Sequence, residues 1–413
     1  MSAGASVESM EHLSTDSQAA ADVRNPATSA PSAGGCAVGD LHPLFEDVHR
    51  IAVLRGGGLG DLLFALPAVD ALAAAYPEAH VTLLGTPLHA ELLRGRAQSV
   101  ADVVVLPFAP GVRERPESDD GDETVAEREV TIFQERVRAR GVDLGVQLHG
   151  GGRFSNPFLL GLGPRHSVGT ATPDAHPLER TLSYQYFQHE VARALEVAAL
   201  AGAPAVTLEP RLCATEDDLR RARALLAART GPLLVVHPSA TDPRRRWPAE
   251  RFAAVATTAI DSQDATVVVV GDEHEHGLTA AVTEMARAGL PHDLHGRVVD
   301  LGGRLDVGGL VGVLAVADVL LGNDSGPRHL AQALGCATVA VYWAGNVINA
   351  GPMSRARHRV HVSWTSQCPE CGADVTQVGW TAPRCPHDPS FLRDVGTAAV
   401  RADVLELLAA AGR

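Results

Sequence analysis

The stretch Arg50-Ile-Ala-Val-Leu-Arg-Gly-Gly-Gly-Leu-Gly-Asp61 decides how the first part of the chain folds. Its apolar run at residues 50–54 predicts a buried strand. The glycines at 56–58 allow a tight turn in which the backbone can approach a ligand. From residue 61 to 76 the apolar residues recur at helical spacing, and Pro77 ends the pattern. The stretch therefore predicts a strand, a glycine turn and a helix whose positive N-terminus faces a ligand.

Strands and helices continue to alternate through the first half of the chain. Further strands are predicted at residues 80–84, 102–106 and 143–148, and further helices at 87–94 and 127–140. Since each strand is followed by a helix before the next strand, this order implies a parallel sheet with right-handed crossover connections.

The same pattern restarts after a break between Ala203 and Gly231. Strands are predicted at residues 232–237, 266–270, 318–322 and 338–342, and helices at 249–262, 274–288, 310–316 and 328–334. We therefore predict an α/β protein with two Rossmann-like domains, residues 48–205 and 206–395, that face each other across a cleft. In open parallel sheets ligands bind beyond the carboxyl ends of the strands, so functional residues are expected in those loops.

Composition and charge exclude several classes of protein. The 413 residues include 49 acidic side chains and 35 basic ones, all of them arginine, for a net charge of −14. Proteins that bind nucleic-acid polymers carry basic faces, so such a partner is not expected. The sequence shows no transmembrane segment and no secretory signal, and its six cysteines are scattered. We expect a cytoplasmic protein without a disulfide framework.

Two polar segments lie outside the alternating pattern. Residues 1–47 are rich in small and polar residues and show no hydrophobic period, which predicts a flexible tail. Residues 113–129 contain a cluster of acidic side chains. This insertion is either a solvated loop and helix start or a segment that recognises an acceptor.

Asp61, directly after the glycine turn, has two possible roles. In the first helical turn its carboxylate could be a structural cap. In a cleft between domains it could instead act as a general base toward an acceptor hydroxyl. A nicotinamide-dinucleotide site is disfavoured, because residues 83–87 after the second strand lack the acidic residue that binds the ribose.

Two stretches of the second half are suited to an anionic ligand. Residues 237–248 (His-Pro-Ser-Ala-Thr-Asp-Pro-Arg-Arg-Arg-Trp-Pro) place three arginines beyond a strand, either as a solvated face or as a diphosphate site. Residues 322–331 (Gly-Asn-Asp-Ser-Gly-Pro-Arg-His-Leu-Ala) join a strand end to a helix start, where backbone N–H groups bind anions. Asp324 there could bond sugar hydroxyls, or Asp324 or Ser325 could simply cap the helix.

These three stretches together resemble glycosyltransferase family 9, the ADP-heptose:lipopolysaccharide heptosyltransferases and their relatives. The matching parts are Gly60-Asp61 with Pro67, His237-Pro-Ser with Arg-Arg-Trp-Pro, and residues 323–331. With the strand order, the resemblance covers roughly residues 50–410. It implies the GT-B fold, in which the second domain holds the nucleotide sugar, the first carries acceptor specificity, and a final helix at 396–413 returns toward the first domain.

The resemblance also implies roles for individual residues. Asp61 would be the catalytic base, and Arg245, where the family usually has lysine, would contact the diphosphate. The remaining donor contacts would come from Ser239, Thr241, Glu275, Asp324, Ser325, Gly326 and His329. Acceptor-side candidates are Gly60, His149, Arg153 and Asn156. Such an enzyme would need no metal or other cofactor, because helix termini and cations stabilise the leaving diphosphate.

Cys368, Cys371, Cys385 and His387 form a fourth group. A CxxC pair with a further cysteine and a histidine could supply four zinc ligands, although only one cysteine pair has a well-formed spacing. A reduced or disulfide-capable structural cluster is the other main interpretation, and a catalytic role is a third.

The sequence thus predicts an inverting glycosyltransferase that transfers a sugar, with heptose from ADP-heptose expected, to a glycan or small-molecule acceptor. The alternative is a catalytically lapsed protein of the same fold that binds a nucleotide sugar as a regulator or scaffold. The presence of both Asp61 and Asp324 argues against that alternative.

Overall fold

The first half of the molecule is built on a six-stranded parallel sheet. The computed structural model describes residues 38–115, 123–377 and 381–411. The strands are β1 (Arg50–Leu54), β2 (His80–Gly85), β3 (Asp102–Val105), β4 (Leu144–Gln147), β5 (His166–Ala171) and β6 (Arg180–Ser183). The helices are α1 (Leu59–Ala75), α2 (Pro87–Leu93), α3 (Glu123–Arg140), α4 (Ser155–Leu160) and α5 (Glu190–Leu200). The strand order is β3-β2-β1-β4-β5-β6.

The second half repeats this architecture. Its strands are β7 (Leu233–His237), β8 (Thr266–Val269), β9 (Val298–Asp300), β10 (Val319–Asn323), β11 (Ala337–Trp343) and β12 (His358–Ser363). Its helices are α6 (Glu216–Leu225), α7 (Ala249–Gln263), α8 (His276–Ala288), α9 (Val307–Ala315), α10 (Gly326–Ala333), α11 (Ala344–Ala350) and α12 (Thr397–Ala411). The order β9-β8-β7-β10-β11-β12 is the same doubly wound order as in the first sheet. The prediction of an α/β protein with two Rossmann-like domains is confirmed.

The central strands owe their position to continuous apolar runs. Every residue of β4, β7, β8 and β10 is buried. Strands covered by helices on both faces of a parallel sheet need apolar side chains at every position rather than at alternate ones. These runs are therefore the segments that the sequence predicts most closely.

The two halves meet along helix α1. Its first turn packs against α10 of the second half, while its other face packs against α5. Gly60 and Gly326 allow this approach, because a Cβ atom on Gly60 would lie 3.3 Å from the His329 ring and one on Gly326 would lie 3.0 Å from the Leu59 Cβ. The contact places the first turns of α1 and α10 on the same cleft.

The tail predicted at residues 1–47 needs correction over its last ten residues. Residues 1–37 lie outside the described residues. Residues 38–47 pack on the first domain, where the buried Phe45 ring stacks on His166 and lies under the Arg180 guanidinium. The Arg180 guanidinium also donates to the carbonyl of Pro43. An aromatic anchor and backbone hydrogen bonds outweigh the polar composition of this stretch.

The last helix is also placed differently from the expectation. Helix α12 packs on α7 and on strands β10, β11 and β12, and its ion pairs with Arg359 and His361 stay within the second half. The expected return toward the first domain is therefore not how this helix packs. Its buried residues Val400, Val404 and Leu408 cover the apolar flank of the second sheet. Of the helices that the structure describes, none has the length and apolarity that crossing a membrane requires.

Candidate active site

Two neighbouring cavities open where the carboxyl ends of the strands face each other. The larger, of about 600 Å³, lies between the two halves. The smaller, of about 190 Å³, lies in the first half. Residues that line the larger cavity include Gly58, Gly60, Asp61 and Phe64 from the first half, and Thr241, Arg245, Glu275, Asp324, Ser325, Gly326, His329 and Asn346 from the second. Asp61 and Phe64 line both cavities.

The Asp61 carboxylate is held in place from two sides. One oxygen accepts a hydrogen bond from the backbone N–H of Gly58 at 2.9 Å, which caps the first turn of α1. The other is 2.7 Å from the Arg55 guanidinium. The carboxylate nevertheless keeps 49 % of its side-chain surface exposed. Both roles that the sequence left open are therefore compatible: the side chain caps the helix and still presents oxygen to the cavities.

Arg55 connects Asp61 with the end of strand β4. Its guanidinium donates to the carbonyls of Leu148 and Asp61, and it lies 3.6 Å from the carboxylate of Glu190. The Arg55 side chain is only 7 % exposed, so its charge is compensated by the carboxylates of Asp61 and Glu190 rather than by water. Neither Arg55 nor Glu190 is among the site residues predicted from the sequence. Arg55 could have been found, because it is the first residue after β1.

Gly57 in the preceding turn has no substitute. Its φ of +86° is in the left-handed region, and a Cβ atom there would lie 2.6 Å from the Asp61 carboxylate. Buried His89 supports the same turn, with its Nε2 3.3 Å from the Gly58 carbonyl. Burial lowers the pKa of His89 to about 4, so the ring is neutral and Nε2 donates.

The three consecutive arginines of the second half have separate tasks. Arg244 is buried and paired with Asp242 at 2.5 Å, and Arg246 donates to the Ala240 carbonyl at 2.8 Å. Both hold the loop in shape. Arg245 lines the larger cavity and lies 3.0 Å from the Asp324 carboxylate. Of these three arginines, Arg245 is the one that lines the larger cavity.

Asp324 is the centre of a buried polar network. One of its oxygens is 3.0 Å from Nε2 of His329, and the other accepts from Arg245 and from the Asn346 amide at 2.6 Å. Nδ1 of His329 faces the Arg328 guanidinium at 2.8 Å, and because arginine can only donate, the proton of the ring lies on Nε2. Burial lowers the pKa of His329, which keeps it neutral.

The charge of Asp324 is balanced within this network. Burial alone would raise its pKa, but the hydrogen bond from His329 and the charge of Arg245 lower it below the usual value. An ionised carboxylate therefore faces the cavity. Asn346, which the sequence analysis missed, follows the carboxyl end of β11 and could have been found by the same strand-end rule.

A second carboxylate, Glu275, borders the cavity beside His237, the last residue of β7. Its oxygen lies 3.2 Å from Nε2 of His237 and accepts from the Asp272 N–H at 3.0 Å. Burial raises its pKa, and the contacts with His237, Ser239 and Asp272 outweigh this and lower the pKa to about 2. Nδ1 of His237 is 3.0 Å from the Ser325 hydroxyl. His237 thus connects residues 237–248 with residues 322–331 through the Ser325 hydroxyl.

Ser239 and Thr241 lie on the same loop, but only Thr241 lines the cavity. Ser239 is 1 % exposed and lies behind the cavity wall, next to Glu275. Direct contact of the Ser239 side chain with a phosphate is not what the geometry provides. The Asn323 amide donates to the Pro238 and Ser239 carbonyls and so holds the backbone of this loop.

The acceptor-side candidates are only partly brought together. His149 lines the smaller cavity, and burial together with the charge of Arg55 lowers its pKa. Arg153 lies on an exposed rim, 66 % exposed and 3.5 Å from Asp174. Asn156 is wholly buried and its amide donates to the carbonyls of Thr170 and His176, so its assignment to the acceptor side is wrong. This cavity is also lined by Tyr184, Glu190 and Arg193, which are not among the site residues predicted from the sequence.

One group of side chains away from the cleft has the arrangement of a metal site. The ligand atoms of Cys368, Cys371, Cys385 and His387 all lie within 4.8 Å of one another. Among the described residues, this is the one cluster of histidine, cysteine or carboxylate side chains with such a geometry. The carboxylates around the larger cavity do not form one.

Comparison with known proteins identifies the family. The model of "Glycosyltransferase family 9 (heptosyltransferase)" matches residues 133–377, more than half of the chain. The chain belongs to glycosyltransferase family 9. It is 19 % identical over 346 residues to the lipopolysaccharide core heptosyltransferase OpsX of Haemophilus influenzae, a match that covers 82 % of this chain and 92 % of that protein.

Solved structures of glycosyltransferases share the fold of this family 9 member. An Escherichia coli ADP-heptose LPS heptosyltransferase II aligns with a TM-score of 0.65 at 18 % identity, covering 88 % of this chain and 99 % of that one. A family 9 glycosyltransferase from Veillonella parvula aligns with a TM-score of 0.70 at 17 % identity, covering 89 % and 100 %. The predicted GT-B fold and glycosyltransferase activity are confirmed, and a nucleotide sugar and an acceptor are the substrates that such an enzyme uses.

Proposed function

We propose that this glycosyltransferase transfers heptose from ADP-heptose to a hydroxyl of a glycan or small-molecule acceptor, with inversion at the anomeric carbon. The observation that carries the proposal is the position of Asp61. Its half-exposed carboxylate borders both the cavity between the domains and the smaller cavity of the first domain. A base at that boundary can take a proton from an acceptor in one cavity while the hydroxyl attacks a donor in the other.

The second domain provides the donor side. Arg245 presents a guanidinium to the larger cavity, and the helix α10 begins at Gly326 beside it with its N-terminal N–H groups directed toward the cleft. A cation and a helix N-terminus stabilise the negative charge that develops on the leaving diphosphate. Asp324 and Glu275 provide ionised acceptors for sugar and ribose hydroxyls. In this mechanism the transfer step needs no metal ion.

The first domain provides the acceptor side. His149, Tyr184 and Arg193 surround the smaller cavity, and the Arg193 guanidinium lies 4.5 Å above the Tyr184 ring. These side chains offer hydrogen bonds to hydroxyl groups and a planar face to a sugar ring. Arg55 keeps the Asp61 carboxylate directed toward the cleft through the 2.7 Å contact. The base is thereby oriented before either substrate binds.

The choice of heptose and ADP rests on the relatives. OpsX is described as a lipopolysaccharide core heptosyltransferase, and the Escherichia coli structure as an ADP-heptose heptosyltransferase. The lysine that such proteins usually have before the Trp-Pro pair is replaced by Arg245 here, which preserves the charge with a larger, bidentate group.

The proposal is tested first by donor binding. Thermal unfolding is measured with ADP-heptose, GDP-mannose, UDP-glucose and ADP alone, because a ligand at 100 times its Kd stabilises the folded state by about 2.7 kcal/mol. We expect ADP-heptose to give the largest shift in Tm. A larger shift with a GDP- or UDP-sugar contradicts the donor assignment. Transfer assays with ADP-heptose and a panel of glycan acceptors follow, and binding of ADP-heptose without transfer or hydrolysis would support the catalytically lapsed alternative.

A further inference from the structure

We propose that Cys368, Cys371, Cys385 and His387 bind one Zn²⁺ ion as a structural site. Three sulfur atoms and one imidazole nitrogen lie within 4.8 Å of one another. All three cysteines are free thiols in the structure. Four ligands at Zn–S distances of about 2.3 Å and a Zn–N distance of about 2.0 Å, arranged tetrahedrally, require a cluster of this size.

The first two ligands lie on a tight turn. In Cys368-Pro-Glu-Cys371-Gly372 the Gly372 residue has a φ of +72°, and its N–H donates to the Cys368 carbonyl at 2.9 Å. The Cys368 N–H donates to the Ala373 carbonyl at 2.7 Å, and residues 367 and 374 form an antiparallel bridge. The turn directs the N–H groups of Glu370 and Cys371 at the Cys368 sulfur. Backbone N–H groups around a metal-bound sulfur act as outer partners that orient the ligand.

The other two ligands come from a second turn of the chain. Cys385 and His387 are separated by one proline, and both are partly buried. Nδ1 of His387 is buried and has no hydrogen-bond partner. A buried imidazole nitrogen without a partner costs free energy, and coordination of a metal ion removes this cost. The nitrogen therefore points independently to a missing ligand.

The donor set favours a metal ion that thiolates bind, which means zinc or iron rather than Mg²⁺ or Ca²⁺. Three thiolates with one imidazole form the Cys₃His group of structural zinc sites, and zinc is proposed for that reason. The four side chains also leave no position open for a substrate, because a tetrahedral ion has four ligands. The proposed ion is thus structural and takes no part in the transfer step.

The proposed zinc site lies near the loop that carries Arg244, Arg245 and Arg246. Cys368 packs with Val375 and Phe391, and the Arg244 guanidinium lies 5.3 Å above the Phe391 ring. The neighbouring Ser390 hydroxyl donates to the Arg246 carbonyl. The zinc site would therefore brace the loop that presents Arg245 to the cleft. This consequence, but not the metal site itself, rests on the proposed donor function.

The test is the metal content of the whole protein. The full chain is produced in zinc-supplemented medium, purified under reducing conditions and measured by inductively coupled plasma mass spectrometry. We expect one zinc per chain, loss of that zinc in Cys371→Ser, and a lower Tm for this variant. Cys371 is exposed, so the substitution itself removes little packing. The matched control is Cys213→Ser, an exposed free cysteine outside the cluster, which should retain one zinc.

Three results would overturn the site. They are a wild-type protein without bound zinc, a Cys371→Ser variant that retains the full zinc content, and one iron per chain in place of zinc. Donor affinity is measured separately on the same samples. If zinc is present but its loss leaves ADP-heptose affinity unchanged, the metal site stands and its link to the loop that carries Arg245 fails. If wild-type protein contains zinc but binds no ADP-heptose, the proposed donor fails.

Discussion

A single carboxylate, Asp61, combines a structural and a chemical position. It caps helix α1 through the Gly58 N–H and pairs with Arg55, yet about half of its side chain remains exposed. A carboxylate held in this way loses little conformational freedom when an acceptor binds, because its orientation is already set by the protein.

We expect Asp61→Asn to lower kcat by about 100- to 10,000-fold, the range typical for removal of a general base. The amide oxygen can still accept the Gly58 N–H, so the donor Kd should change little, whereas loss of the ion pair with buried Arg55 should lower the Tm. Turnover is measured with the donor and acceptor that the wild type uses. Undiminished turnover would contradict the general-base assignment, and a parallel loss of donor affinity would indicate a binding role instead. Asp217→Asn, at an exposed position on α6, is the control.

Arg245 is the residue with which the donor diphosphate is expected to interact. We expect Arg245→Ala to weaken ADP-heptose binding about ten- to a hundredfold, since hydrogen bonds to charged groups contribute about 1.5–3 kcal/mol. Arg245→Lys should recover part of this loss by keeping the charge. The measurement is isothermal titration calorimetry. The control Arg220→Ala, at an exposed site on α6, should bind as the wild type does; equal affinity of Arg245→Ala would refute the role.

At the scale of elements, the glycine turn between β1 and α1 is supported from a neighbouring helix. Neutral His89 of α2 donates to the Gly58 carbonyl and accepts from the Thr86 N–H at 3.2 Å. Protonation of the ring would put two N–H groups face to face. The turn that orients Asp61 is therefore stable only while His89 stays neutral.

This arrangement predicts how stability depends on pH. The pKa of His89 falls from 6.5 to about 4 on folding, so the unfolded state binds more protons between these values. The contribution of neutral His89 to the free energy of unfolding is fully present above pH 6.5. It is lost as the pH falls toward 4, by about 1.4 kcal/mol per pH unit and roughly 3 kcal/mol in all. His358, whose pKa burial also lowers to about 4, acts in the same window.

The measurement is urea unfolding of the wild type and of His89→Gln at pH 7.5, 6.5, 5.5 and 4.5. The free energy of unfolding should fall less steeply with decreasing pH in the variant, whatever its stability at pH 7.5. Equal slopes in the two proteins would show that His89 is not the group responsible. The pKa values of Asp218 and Glu275 are lowered to about 2, so most of their effect on stability falls at lower pH. Both carboxylates are also present in the wild type and in the variant, so they do not disturb this comparison.

The elements that the sequence predicts well differ physically from those it misses. Strands β7, β8 and β10 are buried on both faces and stand out as apolar runs. Strand β6 is an edge strand of residues Arg-Thr-Leu-Ser with half of them exposed, so nothing in its local composition distinguishes it from a loop. Its backbone pairs with β5 because the rest of the sheet is already in place.

At the scale of the whole molecule, a buried ion pair connects the two halves. Arg96 of the first half lies 2.5 Å from Asp218 on α6, with side chains 9 % and 2 % exposed. Burial raises the pKa of Asp218, and hydrogen bonds from Arg96 and Thr215 outweigh this and lower it to about 2. The pair lies at the edge of the domain interface, where it restricts how the two halves are oriented.

We expect Asp218→Asn to reduce the free energy of unfolding by about 3–5 kcal/mol, because it leaves the Arg96 charge buried without a partner. Chemical denaturation provides the measurement. The neighbouring Asp217→Asn, whose carboxylate is 44 % exposed, should change stability by less than about 1 kcal/mol. If both variants lose the same small amount, the interdomain pair does not stabilise the protein.

Several properties of this protein follow from the sequence alone. Continuous apolar runs, glycines and helical periodicity are local signals, so they determined the two α/β halves and the loops that carry Asp61, Arg245 and Asp324. The chemistry of these loops follows from the residue types at the strand ends. The fold prediction succeeds because a strand, a turn and a helix start each depend on a few consecutive residues.

Only the tertiary structure decided which of these side chains reach the cleft. Packing turned Arg244 and Arg246 into the loop and Arg245 outward, and it enclosed the Asn156 amide between two carbonyls. It also set Asp61 at the boundary of two cavities and assembled four possible zinc ligands near the loop that carries Arg245. The direction of a side chain depends on partners distant in sequence, and local patterns carry no record of those partners.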